Sequence, residues 1–306
     1  MSEQYKNSFL LLITAAIWGA GFVAQALGME HVGPLTFTWA RSLIGGMFLL
    51  CAMPMLDRLA GPRPSTMAQG NPWKNRTLWV GSFFCGTMLF ISAALQQFGI
   101  MYTTVAKASF LTSLYIVIVP LIGMFLGRQT SWNAWLGVLI AVAGLYLLCV
   151  KPGESMLLSL GDTLVITCAL SFSLHILVID RFAPLVDAVR LSCLQFFISS
   201  LWGAVLMMIF EEPTLEGLYG ALGAILFVGI LDNGIGYTLQ TIAQKNINPK
   251  IASLLMSLES VFGTLAGWVV MGQTLTSREA IGCAVMATAI VLAQLPPKLF
   301  MKRWTL

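Results

Sequence analysis

The 306-residue chain is 58% hydrophobic and only 10% charged, with a net charge of +4, whereas about a quarter of the residues in soluble domains are charged. This composition excludes a soluble catalytic domain and describes a polytopic membrane protein whose surface meets the lipid bilayer. Cys51, Cys85, Cys149, Cys168, Cys193 and Cys283 all fall in apolar runs without CxxC or Cys/His spacing, which indicates small hydrophobic side chains rather than disulfides or a metal site.

A helix crossing the hydrocarbon core needs about 20 mostly apolar residues, and ten runs qualify in chain order. The first, 8–27, is long and lacks a small-residue cleavage site, so it is read as helix 1 and not as a removed signal peptide. Runs 34–55, 78–100, 104–126 and 132–150 complete a first half, and 161–179, 188–209, 218–240, 249–270 and 279–295 form a second. The longest connection, 56–77, carries Pro62, Pro64, Gly70 and Pro72, and no loop is long enough for an independent fold. Placing the N-terminus in the cytoplasm puts 13 of the 17 basic residues on that side, leaving Arg41, Lys107, Lys151 and Arg278 opposite or in outer helix halves. The positive-inside rule then assigns both termini to the cytoplasmic side of the cell membrane.

The second half repeats the first. Residues 95–127 align with 239–271 without a gap, setting Leu95 on Leu239, Gln96 on Gln240, Ala108 on Ala252, Ser109 on Ser253, Ser113 on Ser257 and Tyr115 on Glu259. Five crossings per half force the two halves into opposite orientations, the construction by which many secondary transporters give two-sided access to one central site. The expected fold is therefore an all-α polytopic membrane protein of ten transmembrane helices in two inverted five-helix repeats, 1–151 (helices 1–5) and 152–306 (helices 6–10).

Three local patterns carry a family resemblance. Helix 1 reads Ala16-Ile17-Trp18-Gly19-Ala20-Gly21-Phe22. Helix 4 reads Ala108-Ser109-Phe110-Leu111-Thr112-Ser113-Leu114-Tyr115, with Pro120, and closes at Gly127-Arg128-Gln129; helix 9 reads Ala252-Ser253-Leu254-Leu255-Met256-Ser257-Leu258-Glu259-Ser260 and closes at Gly272-Gln273-Thr274-Leu275. Together with the order and duplication of the helices, the chain resembles the EamA-type proteins of the drug/metabolite transporter superfamily over nearly its whole length. The resemblance implies a ten-helix carrier in the cytoplasmic membrane moving small organic solutes, amino acids prominent among them, with export favoured. Ser260 stands where many relatives carry proline, which predicts a straighter helix 9, and Gln273 where they often carry an acid. Asp232 stands where relatives more often have a small hydroxyl or apolar residue, which marks it as a feature particular to this chain.

Ionisable groups inside membrane helices are functional candidates by default, because burying them is costly without a wet cavity or a partner. Glu259 lies about ten residues into helix 9, about 15 Å along it at 1.5 Å per residue, and its repeat mate is Tyr115; both are expected at a central cavity on the pseudo-two-fold axis. A carboxylate there is able to bind a substrate ammonium or a proton, or to lock helices together. Asp232, followed by Asn233, is the second acid, in a stretch where Gly229, Gly234 and Gly236 permit bending; a donor such as Asn233, Tyr237 or His175 would otherwise pair with it. His175 is the one histidine in an apolar run and a candidate proton relay. Trp18 lies midway along helix 1, away from the interfacial belts, as a cavity wall or as ordinary packing. Arg41, near the outer end of helix 2, is read as a structural or snorkelling arginine or as one holding a substrate carboxylate, Gln96 and Gln240 as gates at opposite membrane faces, and Pro120 as a hinge in helix 4. Gln25, Gln97 and Gln195 add polarity without a rank.

No Gly-rich run precedes Lys-Ser/Thr, which excludes a nucleotide site of the P-loop kind, and no basic stripe with stacking aromatics points to nucleic acid. No cofactor is implied. The reading is a secondary transporter of a small-molecule substrate, an amino acid or related amine, working by alternating access with or without protons. The rivals are uptake of a vitamin precursor, sugar or cationic amine, and an intramembrane enzyme or scaffold.

Overall fold

The computed structural model describes residues 3–60, 71–103, 105–127, 132–150, 153, 158–271 and 276–294. Arg63, Pro62, Pro64, Gly70, Arg128, Gln129, Lys151, the closing Gly272-Gln273-Thr274-Leu275, Lys298, Lys302 and Arg303 lie outside the described residues, as do the side chains of Lys107 and Cys149. The described elements are α1 (Glu3–Gly28), α2 (Pro34–Ala60), α3 (Arg76–Tyr102), α4 (Val105–Thr112), α5 (Tyr115–Phe125), α6 (Trp132–Cys149), α7 (Leu160–Phe182) and α8 (Ala188–Phe210). They are followed by α9 (Leu215–Gly220), α10 (Leu222–Phe227), a π-helical segment (Val228–Tyr237), α11 (Thr238–Gln244), α12 (Pro249–Met256), α13 (Glu259–Met271) and α14 (Ser277–Gln294).

By length and composition, seven helical stretches are able to cross a membrane: Gln4–Gly28, Pro34–Arg58, Arg76–Tyr102, Ala108–Phe125, Leu160–Leu185, Ala188–Phe210 and Leu222–Gln244, with Trp135–Leu148 as a shorter apolar helix. The expected ten is thus reached only in part among the described residues. Helix 9 carries Lys250 and Glu259, and helix 10 is 18 residues long and opens on Ser277, Arg278 and Glu279.

Local sequence sets the helix ends. Asn75, Asp187 and Asn248 accept hydrogen bonds from the backbone amides of Thr77, Arg190 and Lys250, and Ser159 with Asp162 forms a reciprocal capping box on α7. The start of α2 is capped from far along the chain. Glu211, at the end of α8, accepts from Leu35 N at 2.9 Å, Thr36 N at 2.8 Å and Thr36 Oγ1 at 2.6 Å, placing a carboxylate at the positive end of the helix dipole.

Packing follows the repeat. α3 lies along α7 as the α10–π–α11 rod lies along α1; α3 meets α8 as the π segment meets α2; α1 packs on α13 as α7 packs on α4 and α5. The α2–α8 and α6–α14 pairs join equivalent helices of the two halves. Exchanging the halves therefore maps each of these contacts onto another, which is the pattern of a pseudo-two-fold axis through the bundle. The outer faces carry Phe83, Phe84, Leu139, Leu201 and Met208, all exposed, as a bundle solvated by lipid requires.

The repeat is also visible in a shared fault. Helix 4 is cut between Thr112 and Tyr115 and helix 9 between Met256 and Glu259. In both, the winding tightens locally: Leu114 N bonds Leu111 O at 3.2 Å and Leu258 N bonds Leu255 O at 3.3 Å; Ile116 N bonds Ser113 O at 3.0 Å and Ser260 N bonds Ser257 O at 3.3 Å. This corrects the expectation of a straighter helix 9. The break precedes Ser260 and needs no proline, while Pro120 sits inside α5, beyond the interruption in its own helix.

Candidate functional site

One cavity lies where the two halves meet. Its free volume is about 30 Å³, room for about two waters. Three pairs of repeat mates line it: Gln96 with Gln240, Thr112 with Met256, and Tyr115 with Glu259. α1 contributes Trp18, Phe22 and Gln25, α7 contributes Phe172, His175 and Ile176, and Arg41, Asp232 and Tyr237 complete the wall.

The π winding positions the last two. Residues five apart fall on different faces of an α-helix of 3.6 residues per turn, but hydrogen bonding five residues apart returns them to one side. Asp232 and Tyr237 thereby share the cavity wall. α1 supports this segment through two side chains: Trp18 Nε1 donates to Asp232 O at 3.4 Å, and the Thr14 hydroxyl shares its proton between Leu10 O at 3.0 Å and Gly236 O at 3.2 Å. Tyr237 packs against Trp18 with centroids 4.6 Å apart and ring planes tilted by 48°, and meets His175 and Phe196 edge-on.

The two buried acids have different surroundings. Glu259 Oε1 accepts from Tyr115 Oη at 3.2 Å and from Ser113 Oγ at 3.4 Å. Behind it Ser113, Ser260 and Ser109 form a hydroxyl chain with links of 2.9 and 2.8 Å. Asp232 is 3% exposed and its Oδ1 has no hydrogen-bond partner among the described residues; none of Asn233, Tyr237 or His175 bonds its carboxylate there. Such an atom is costly unless something else satisfies it. Its electrostatic partner is Arg41, itself 5% exposed and stacked over Phe37 at 5.8 Å.

Other polar groups are tied in pairs. His175 Nε2 contacts Gln195 Oε1 at 3.1 Å, Gln96 Nε2 donates to Thr112 Oγ1 at 3.3 Å, and Gln97 Nε2 donates to Gln25 Oε1. His175 Nδ1, Gln97 Oε1 and Gln240 Oε1 join Asp232 Oδ1 as buried atoms without hydrogen-bond partners among the described residues.

Several expectations change. Arg41 does not reach outward; it is buried at the cavity because α2 turns that face to the bundle interior. Gln96 and Gln240, expected at opposite membrane faces, line the same cavity, since the α3 and α11 ends that carry them converge on the axis. Asn233 does not line the cavity and packs against Gly45 of α2. Pro120, whose expected role is a hinge and not a cavity wall, is buried inside α5. Sequence reasoning passed over Thr112 and Met256, although they lie three residues before Tyr115 and Glu259 and so on the same helical face. It also missed Phe22 and the wall role of Tyr237, for which the π winding left no periodic signal.

These features define a multi-pass membrane protein with two repeats around a shared polar cavity. The chain belongs to the EamA-like transporter family, whose sequence pattern matches residues 6–150 and again 159–295. It is similar to an uncharacterized transporter of Archaeoglobus fulgidus, 26% identical over 93% of this chain and 84% of the relative. The uncharacterized transporter YoaV of Bacillus subtilis is 22% identical over 92% of this chain and 94% of its own. A solved crystal structure at 20% identity superposes with a TM-score of 0.78, covering 97% of this chain and 99% of that one, so the fold is shared.

Proposed function

We propose that the protein is a ten-crossing secondary transporter of a small organic solute, an amino acid or related amine, with export the favoured direction. The carrying observation is the convergence of three repeat-mate pairs, Glu259 among them, on one cavity that also holds Arg41 and Asp232. A site on the pseudo-two-fold axis is reached from either side by exchanging two symmetric packings of the halves, which is alternating access. The small free space fits an occluded arrangement that opens to admit solute. The halves divide at 1–151 and 152–306, both termini face the cytoplasm, and the membrane is the cell membrane. Either acid is able to carry a coupling proton, with His175 beside them as relay. A second reading, a facilitator of a cationic amine, is favoured by the Trp18–Tyr237 pair next to two acids.

The test is uptake into proteoliposomes of radiolabelled amino acids and amines, with and without a pH gradient, for the wild type, Glu259→Gln and Asp232→Asn. Gradient-driven accumulation that one substitution abolishes is the result expected of a proton-coupled carrier. Equilibration that ignores pH and both substitutions removes the proton role, and movement of no amino acid or amine removes the substrate class.

A further inference from the structure

Arg41 and Asp232 face one cavity from α2 and the π segment, both nearly fully buried, and no hydrogen bond or ion pair joins them among the described residues. Asp232 Oδ1 has no hydrogen-bond partner among the described residues. Glu259, by contrast, already accepts two hydroxyl donors. A solute entering this space meets a fixed cation and a fixed anion. A free amine is attracted by Asp232 and repelled by Arg41, a free carboxylate the reverse, and a neutral polyol leaves the two charges with only each other, unbonded, as counter-charge in a medium where an unbonded charge is costly. A molecule carrying both signs satisfies both groups by direct contact.

We infer that the substrate is a zwitterion, its carboxylate held by the Arg41 guanidinium and its ammonium by Asp232 Oδ1, so that this pair sets the substrate class and Glu259 does not. The assignment rests on the transport reading above and deepens it. Arginine suits the carboxylate because its planar fork donates to both oxygens, which lysine does not match. Gly21 of α1 belongs to the same site: a β-carbon there would stand 3.0 Å from Asp232 Oδ2, so a methyl group crowds the acid without altering any charge.

Equilibrium binding to purified protein tests the assignment with two matched sets of probes: phenylalanine, phenethylamine and phenylpropanoate; and leucine, isoamylamine and isocaproate. Within each set the apolar body is shared and the charged groups differ. The wild type is expected to bind each amino acid at least tenfold more tightly than its amine or its acid. Arg41→Gln should erase the advantage over the amine while amine binding is kept or improved, and Asp232→Asn should erase the advantage over the acid. Arg41→Lys and Gly21→Ala, milder changes, should weaken the amino acids severalfold, the first leaving the amines unaffected. Thermal unfolding of each variant confirms that it is folded. Wild-type binding of an amine as tight as that of its amino acid overturns the clamp and leaves a transporter of amines standing. Uniform weakening of all six probes in Arg41→Gln and Asp232→Asn overturns it in favour of a structural pair. Binding and transport of none of the six overturns both the clamp and the amino-acid reading.

Discussion

Glu259 and Asp232 illustrate how much a buried residue's role depends on a few neighbouring atoms. Both are carboxylates 4% and 3% exposed, and depth along the helix makes them equivalent candidates. Tyr115 and Ser113 engage the first; the second keeps an oxygen without a hydrogen-bond partner among the described residues. Removing one donor from a buried carboxylate costs about 1–3 kcal/mol, so Tyr115→Phe is expected to lower the thermal unfolding temperature in detergent. An unchanged temperature would show that the Tyr115–Glu259 bond adds no stability. Tyr115 and Glu259 were legible beforehand because the gapless repeat pairs them, and pairing across a pseudo-two-fold axis implies proximity. Arg41 was not, since distance from a helix end gives depth and not the direction in which the helix face turns.

At the level of the helix, the shared interruption at Ser113–Leu114 and Ser257–Leu258 has the same tightened hydrogen bonding despite different flanking residues, Pro120 in one half and its repeat mate Thr264 in the other. Symmetric packing, not proline, accounts for it. α1 crosses α13 at Gly19, where a β-carbon would lie 2.6 Å from Glu259 O and from Gly263 N, both backbone atoms that have no side-chain freedom with which to yield. Gly19→Val is expected to cost about 1–3 kcal/mol through overpacking, read as less folded protein in fluorescence-detected size exclusion; a wild-type profile would refute the close crossing. The π segment depends on α1 in a similar way. Thr14→Val removes the donor to Gly236 O, and about 1 kcal/mol of stability is expected to go with it. Gly229, Gly234 and Gly236 signalled a bend in the sequence, but winding five residues apart has no apolar periodicity by which to announce itself.

For the molecule as a whole, the cavity must be closed at one side or the other. At the end where α2 finishes and α8 begins, Arg190 grips Asp57 through two bonds of 3.0 and 2.5 Å, reaches Asp187 at 3.1 Å, and lies over Trp73 at 5.6 Å. This cluster ties α2, α8 and the segment before α3 together on the side assigned to the cytoplasm. Asp57 is 41% exposed, so solvent screens the pair and its worth is about 0.2–1 kcal/mol, at most about a fivefold change in the balance of states. Asp57→Asn is accordingly expected to raise, by up to about fivefold, the rate at which a cysteine placed at Thr112 reacts with an impermeant thiol reagent from that side, the native cysteines having been replaced. An unchanged or slower rate would rule the cluster out as a closing contact.

The sequence by itself determined the class of molecule, the repeat and its register, and which residues are mates, because apolar run length, charge scarcity and identity at a constant offset are properties of the linear chain. Family membership followed from the same information. Only the tertiary structure decided which side chains share the cavity: that Arg41 turns inward, that Gln96 and Gln240 converge, that Asn233 faces Gly45, and that Asp232 keeps an oxygen without a hydrogen-bond partner among the described residues. Those facts depend on helix rotation, on local winding and on the partners supplied by other helices, and none of these is encoded in spacing along a single run.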